Sequence, residues 1–414
     1  MSLNPEEMKK RRQQRQAQRA KQRKIRRILL IAALAVALIA VGVLVFFLLK
    51  PGKAPDTTQP GASENQPTEP ATSVVRLVAA GDLVIKDALI ASGGATNDYT
   101  DTFIDVAPVL ADGDITLLNF EGNLCGAPFG TESASAPQEL MNALSNMGVD
   151  LVQLANSYSI NRGISGLRNT IDGVRAAGME PVGVYADEKE YKLGKGYTLR
   201  EINGVRIAFI AFTKGMDGMT LPPGSEHCVN VLYNDYDSTY QSVNTARIHE
   251  LLDAAEEANP DLTVVLLHWG SEYNDTISKS QERVLTILKN RGVDCVLGTH
   301  SHYVQKMEFD EEAGTFVAYS LGDFCNDGTR AGTEYSVILE VEITKNLESG
   351  ETKVTGYTYT PIYTVTEENK PLRIVRIAQA MAAFHSGYID PVTQASYDEM
   401  VYALERIAAR TAGE

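Results

Sequence analysis

The 414-residue chain is poor in cysteine, histidine and tryptophan, with four, six and one respectively. So few cysteines over that length exclude a disulfide framework. A chain this long can bury a sizeable core without such staples. Basic charge is also short: 38 Lys and Arg against 53 Asp and Glu leave a formal charge of -15. A general nucleic-acid binder needs a basic surface to neutralise phosphates, so this balance argues against that class. Hydrophobic residues make up 44% of the chain, which excludes a mostly disordered protein. No internal repeat is evident.

The charge is unevenly distributed. Residues 1–27 hold eleven Lys and Arg against Glu6 and Glu7. From Ile28 to Leu49 there is then no charged or strongly polar side chain. As a helix that run would span about 33 Å, enough for a bilayer core. It is longer than a signal-peptide core and ends in Phe46-Phe47-Leu48-Leu49-Lys50-Pro51, a poor cleavage site. The expectation is one uncleaved transmembrane helix over 28–49. The positive-inside rule places the basic tail 1–27 in the cytoplasm and the C-terminal part outside the cell. Residues 50–73 are rich in Pro, Thr, Gln, Gly and Ser and read as a disordered linker. Residues 1–53 carry thirteen basic and two acidic groups, so the remainder bears a formal charge of -26. An anionic ligand would therefore need locally placed cations.

From Val74 onward, short apolar runs alternate with amphipathic stretches, the pattern of an α/β domain over 74–365. Strands are predicted at 74–80, 115–120, 151–155, 181–185, 262–268, 294–298 and 316–321. Helices are predicted at 99–111, 137–147, 165–177, 239–258 and 278–291. Asn203-Gly204 between alternating runs at 197–202 and 205–212 signals a hairpin. Residues 336–345 and 353–366 read as a second antiparallel pair. Ser278 with Gln281 has capping-box spacing. The helical spacing of Ile374, Ile377, Met381 and Phe384, and of Tyr397, Met400, Val401 and Leu404, predicts a helical segment over 366–414.

In open α/β sheets the working residues gather in the loops after strands. Here Asp82, Glu121, Asn156, His268, and the pair His300 and His302 all fall at predicted strand ends. Three of the six histidines thus lie within 268–302. Carboxylates, an amide and imidazoles form a donor set for Zn, Mn, Fe or Mg rather than a thiolate site.

An ordered set of motifs strengthens this reading. Val78-Ala79-Ala80-Gly81-Asp82, Asn119-Phe120-Glu121-Gly122 and Leu154-Ala155-Asn156 come first. His268-Trp269-Gly270-Ser271-Glu272-Tyr273, Gly298-Thr299-His300-Ser301-His302 and Tyr319-Ser320-Leu321-Gly322-Asp323-Phe324 follow. Over about residues 74–330 the chain resembles the bacterial capsule-synthesis CapA family, associated with poly-gamma-glutamate, in the calcineurin-like metallophosphatase superfamily. The resemblance implies a four-layer αββα sandwich and one or two divalent metal ions. It implies Asp82, Glu121, Asn156, His268, His300 and His302 as ligands, with Glu121 as the bridging carboxylate. Paired metals can activate a water and clamp a phosphoryl oxygen. Asp82, His268 and Tyr158 take the catalytic positions. The implied partner is an anionic cell-envelope polymer or its phosphorylated precursor, with a polymer synthase as complex partner. The chain departs from the pattern at Ser157 and Tyr158, where the family reads Asn and His, and at Asn161, where it reads Asp. Two readings follow: a metal-dependent hydrolase or transferase, and a degenerate module of the same fold that binds polymer or protein.

Smaller features have bland counterparts. Lys86 follows Asp82 and is either a substrate cation or a solvated loop lysine. Trp269 stacks on substrate or packs in the wall. Cys295 reads as a core thiol, and Cys125 and Cys325, outside the membrane, either pair or stay free.

Overall fold

A computed structural model of the chain describes residues 71–367, 370–386 and 392–413. The basic tail, the apolar run 28–49 and nearly all of the linker lie outside the described residues. Among the described residues no helix is long and apolar enough to cross a membrane.

Two sheets organise the fold. The first has eight strands. Its parallel half is β1 (Thr72–Val84), β2 (Ile115–Glu121), β3 (Leu151–Gln153) and β4 (Glu180–Val182). The second sheet runs through β5 (Thr198–Ile202), β6 (Val205–Thr213), β7 (Leu262–His268) and β8 (Cys295–Thr299). It closes with the antiparallel pair β9 (Met307–Asp310) and β10 (Thr315–Ala318). The chain then returns to the first sheet. There β11 (Asp323–Cys325) pairs in parallel with β1, and β12 (Tyr335–Asn346), β13 (Thr352–Val365) and β14 (Arg373–Arg376) extend the other edge.

Side-chain alternation explains the layering. Ile207, Phe209 and Ala211 of β6, with Val264 and Leu266 of β7, join one buried core with residues of the first sheet. Their neighbours Ala208, Ile210, Phe212, Val265 and Leu267 form a second core. That core includes Ile248, Leu251 and Leu252 of α1 (Thr245–Glu256) and Val284, Leu285 and Leu288 of α2 (Lys279–Asn290). The second sheet is therefore buried on both faces, which is why its strands read as nearly continuous apolar runs. Removing a side chain of this size from water contributes about 1.5–3 kcal/mol.

Local signals hold where geometry is local. Asn203 and Gly204 both have positive φ, 53° and 78°, in the tight turn between β5 and β6. Ser278 and Gln281 form the full capping box of α2. Other expectations are corrected by structure. The helix predicted at 99–111 is two short pieces, Thr100–Phe103 and Ala107–Leu110, because Pro108 starts a new helix and cannot continue one. The helix predicted from 239 begins at Thr245. Asp235 instead draws the amides of Gln241 and Ser242 into a turn, at 2.8 and 3.0 Å. Ile374 lies not in a helix but in β14, opposite Thr364. The two C-terminal helices are α3 (Ile377–His385) and α4 (Gln394–Ala412). Cys125 and Cys325 are not joined, and all four thiols are free.

Two glycines set the backbone of the site. A Cβ at Gly81 would lie 1.8 Å from the Gly322 carbonyl oxygen, and one at Gly298 would lie 2.0 Å from that of Tyr319. Only hydrogen fits at either position. The close approach at Gly81 lets the Asp82 amide donate to Gly322 O at 3.0 Å, locking β11 beside β1.

Candidate metal centre

The parallel strands of both sheets end together. In the first sheet, Asp82 stands opposite Asn119 of β2 and opposite Asp323 of β11. In the second, Thr213, His268 and Thr299 are aligned across β6, β7 and β8. The loops after β3 and β8 add Asn156 to Tyr158 and His300 to His302. All of these except Tyr158 are buried.

Two groups of ligand atoms result. One atom each of Asp82, Glu121 and His268 lie within 4.8 Å of one another, and so do those of Asp82, His302 and Asp323. Asp82 belongs to both groups, whereas the resemblance puts the bridging role on Glu121. Its Oδ1 accepts from Asn119 Nδ2 at 2.6 Å and its Oδ2 from the His300 amide at 2.9 Å. His268 Nδ1 lies 3.1 Å from Thr299 Oγ1. Its Nε2 faces His300 Nδ1, Ser157 Oγ and Glu121 Oε1 at 3.0, 3.2 and 3.4 Å. His302 Nδ1 is 2.7 Å from Asp323 Oδ1.

The residues present fit a divalent cation. His300 Nε2 is buried without a hydrogen-bond partner, a costly state for an imidazole nitrogen unless something occupies it. Buried imidazoles suit Zn and Fe, and buried carboxylates suit Mn and Mg. Electrostatics agree. Burial, with Asp323 adding to it, raises Asp82 to about 6. Burial and then Asp82 push Glu121 well above the usual carboxylate range. Three acids held so close are unfavourable unless a positive charge lies among them. Burial drives His268 and His300 well below the ordinary histidine value, so both are neutral, the ligating form. Burial also opposes charge on His302, but Asp323, Glu121 and Asp82 outweigh it and raise His302 to about 11.

The fold brings Asp82, Glu121, His268, His300 and His302 of the sequence-predicted set together. Asn156 stands behind them. Its Nδ2 donates to Asn119 Oδ1 and Phe120 O at 2.9 and 2.7 Å, and its Oδ1 accepts from the Tyr158 amide at 2.9 Å. It thereby orients Asn119, which in turn holds Asp82. Tyr158 lies near Glu121, Asp217 and Glu272, and burial followed by these acids pushes its phenol further up, so it keeps its proton. Trp269 is fully buried, stacks on Tyr319 and donates to Tyr319 O at 2.9 Å, so it is wall packing.

Asp323, Asn119 and Lys214 were the less visible members. Asp323 and Asn119 sat in quoted motifs, but only pairing across strands reveals their contacts. The cation in the cleft beside the centre is Lys214, not Lys86. Lys214 lines a cleft of about 270 Å³ with Ser157, Asp217, Tyr240, Glu272 and His300. Its ammonium donates to Gly270 O at 3.0 Å and lies 4.5 Å from the centre of the Tyr240 ring. Its position just after β6 was the available signal, since the other working residues also lie at or next to strand ends.

Fold and site together define a class: a mixed α/β protein of two sheets, with a buried Asp/Glu/His cluster at the strand ends suited to metal. The chain belongs to the family described as bacterial capsule synthesis protein PGA_cap, which matches residues 76–328. It is 28% identical over 216 residues to a capsule biosynthesis protein CapA of Bacillus anthracis, covering 51% of this chain and 48% of that one. It is 26% identical over 213 residues to a PGA biosynthesis protein CapA of Bacillus subtilis, covering 50% and 51%. The chain thus spans about half the length of the curated relatives it matches. Among solved structures, a phosphatase from Mycoplasma pneumoniae aligns at 13% identity and TM-score 0.43, covering 71% of this chain and 95% of that one. The calcineurin-like phosphoesterase YfkN of Bacillus subtilis aligns at 16% and 0.39, covering 70% and 91%.

Proposed function

We propose that the protein is a membrane-anchored, metal-dependent hydrolase or transferase acting outside the cell on an anionic envelope polymer or its phosphorylated precursor. Its fold on this proposal is a metallophosphatase-like αββα sandwich. One observation carries it: two buried ligand groups share Asp82, and the unpartnered Nε2 belongs to His300, which lines the cleft that Lys214 enters. Asp82, Glu121, Asp323, His268, His300 and His302 would hold the metal. A bound divalent cation would polarise a phosphoryl or carbonyl oxygen and lower the pKa of water. Lys214 then offers N–H donors to an anionic group in the cleft, although burial lowers its pKa. Asp217 and Glu272, on the same wall, repel a second negative charge there. The uncharged run 28–49 behind the basic tail supports the anchor and its orientation.

The test is metal analysis of the purified full-length chain beside a His300→Ala, His302→Ala double variant. Stoichiometric metal in the first and its loss in the second are expected. A wild type without metal after expression in supplemented medium refutes the proposal. Lys214→Ala should weaken binding of an anionic substrate analogue with metal content unchanged. Protease added to intact cells should digest the chain beyond residue 74 and spare the tail.

Tyr158 supports a second reading, a binding module without turnover. A phenol that stays protonated far above neutral pH is a poor shuttle where relatives of this pattern place histidine. If the wild type binds metal but hydrolyses no phosphodiester, and Tyr158→His creates that activity, the second reading replaces the first.

A further inference from the structure

The C-terminal helix α4 lies beyond the stretch that matches the family, yet it reaches the loop carrying His300 and His302. Two observations meet there. The first is backbone strain. His300 and His302 have φ of 86° and 59°, a left-handed region that residues with a Cβ rarely adopt. Such a conformation is strained and persists only where its surroundings over-determine it.

The second is a run of side-chain contacts from α4 to His302. Arg410, 9% exposed, binds Asp275 Oδ2 through Nε and Nη2 at 3.2 and 3.1 Å. Arg406 reaches the same oxygen at 3.3 Å. The Arg410 guanidinium also lies 4.7 Å from the centre of the Tyr303 ring. Tyr303 meets Tyr273 edge-on at 6.2 Å, and Tyr273 stacks on His302 at 4.9 Å. Backbone contacts join the same loops. The Tyr273 amide donates to Ser301 O at 2.8 Å, the Tyr303 amide to Ser301 Oγ at 3.3 Å, and the Tyr303 hydroxyl to Ala331 O at 2.9 Å.

We propose that Arg410 is a positioning residue for His302. One guanidinium holds the loop after β7 through Asp275 and the loop after β8 through Tyr303. That clamp presses Tyr273 against His302 and keeps the imidazole on Asp323. Without it the two loops separate, and the left-handed backbone relaxes toward negative φ. The consequence for metal rests on the function proposed above; the consequence for the loop does not.

The test uses the full-length chain in detergent with Arg410→Ala, Arg410→Lys, Tyr303→Leu and the Arg410→Ala, Tyr303→Leu double variant. In the metal-free protein, hydrogen exchange at the amides of Tyr273, His300 and Tyr303 should quicken about tenfold or more in Arg410→Ala. The amides of β5 and β6 should keep their wild-type rates. Co²⁺ affinity should fall about 10–100-fold with an altered visible spectrum, as for other residues that orient ligands. Arg410→Lys, which keeps the charge on Asp275 but not the flat stacking surface, should recover part of both effects. Tyr303→Leu, which leaves α4 and its ion pairs in place, should reproduce them, and the double variant should be little worse than the larger single. Unchanged exchange in the loop, or a uniform rise throughout the domain, overturns the proposal. If the wild type takes up no Co²⁺, the metal reading fails and the exchange result alone decides the clamp.

Discussion

Loading the cluster with a divalent cation should expel about one proton from His302 at pH 7.5. His302 is raised to about 11 against the opposing effect of burial, chiefly by Asp323, with their atoms 2.7 Å apart, so without metal it is protonated. Asp82, raised to about 6, is already ionised at that pH. Burial and then Asp82 hold Glu121 well above the usual carboxylate range, which adds to the release in the same direction. Ligation needs the neutral imidazole, so the His302 proton must leave. Each proton released adds a factor of ten in affinity per pH unit. Between pH 6.5 and 7.5 the affinity should therefore rise about tenfold or more, with His302 alone supplying about 1.4 kcal/mol. Calorimetry in phosphate, HEPES and Tris reads the proton count directly, as the slope of observed heat against buffer ionisation heat. His302→Gln should reduce the slope by about one. A wild-type slope near zero, or one indifferent to that substitution, would refute the electrostatic account of the site.

Three further outcomes are expected. Gly81→Ala forces a methyl into the Gly322 carbonyl and should cost about 1–3 kcal/mol or more in denaturant unfolding, by the overpacking penalties seen in cores. A change within 0.5 kcal/mol (roughly the scatter of neutral surface substitutions) would show that β1 and β11 can part freely. Asp294, raised to about 6 by burial, contributes stability that is present below about pH 4 and lost as pH rises through 6. Asp294→Asn still accepts from the Thr263 amide, so it should match the wild type at pH 4 and exceed it at pH 8 by up to ~3 kcal/mol. Parallel pH profiles for the two proteins would contradict this. Trp269→Phe leaves the Tyr319 carbonyl unpaired and a gap beside it, a loss of roughly 2–4 kcal/mol by chemical denaturation. Since Trp269 is the only tryptophan, wild-type emission should also shift to the red on unfolding in a single transition.

The strands with both faces buried were legible because apolar runs and their turn residues lie next to one another in the chain. The β5–β6 hairpin and the α2 capping box were legible for the same reason. Errors arose where a competing local bond intervened, as at Asp235, or where a partner strand was needed, as at β14. Ile374 shows the difficulty: a spacing that suits a helix also suits a short strand once β13 supplies an edge. Asp82, Glu121, His268, His300 and His302 were legible individually, since each falls at or just after a strand end, but Asp323 and the grouping were not.

By itself, the sequence determined the alternation of strands and helices, the chemistry at their ends and the charge contrast between the N-terminal tail and the rest. These depend on neighbours a few residues apart, through periodicity, capping and charge. Tertiary structure alone decided that Asp82 joins two ligand groups, that Asp323 returns to it along β11, and that Lys214 is the cation of the cleft. It also brought Arg410, 108 positions after His302 in the numbering, to the loop that carries that histidine. Such meetings follow from strand order and from the close contact of two glycine backbones at Gly81 and Gly322, which no window of neighbouring residues encodes.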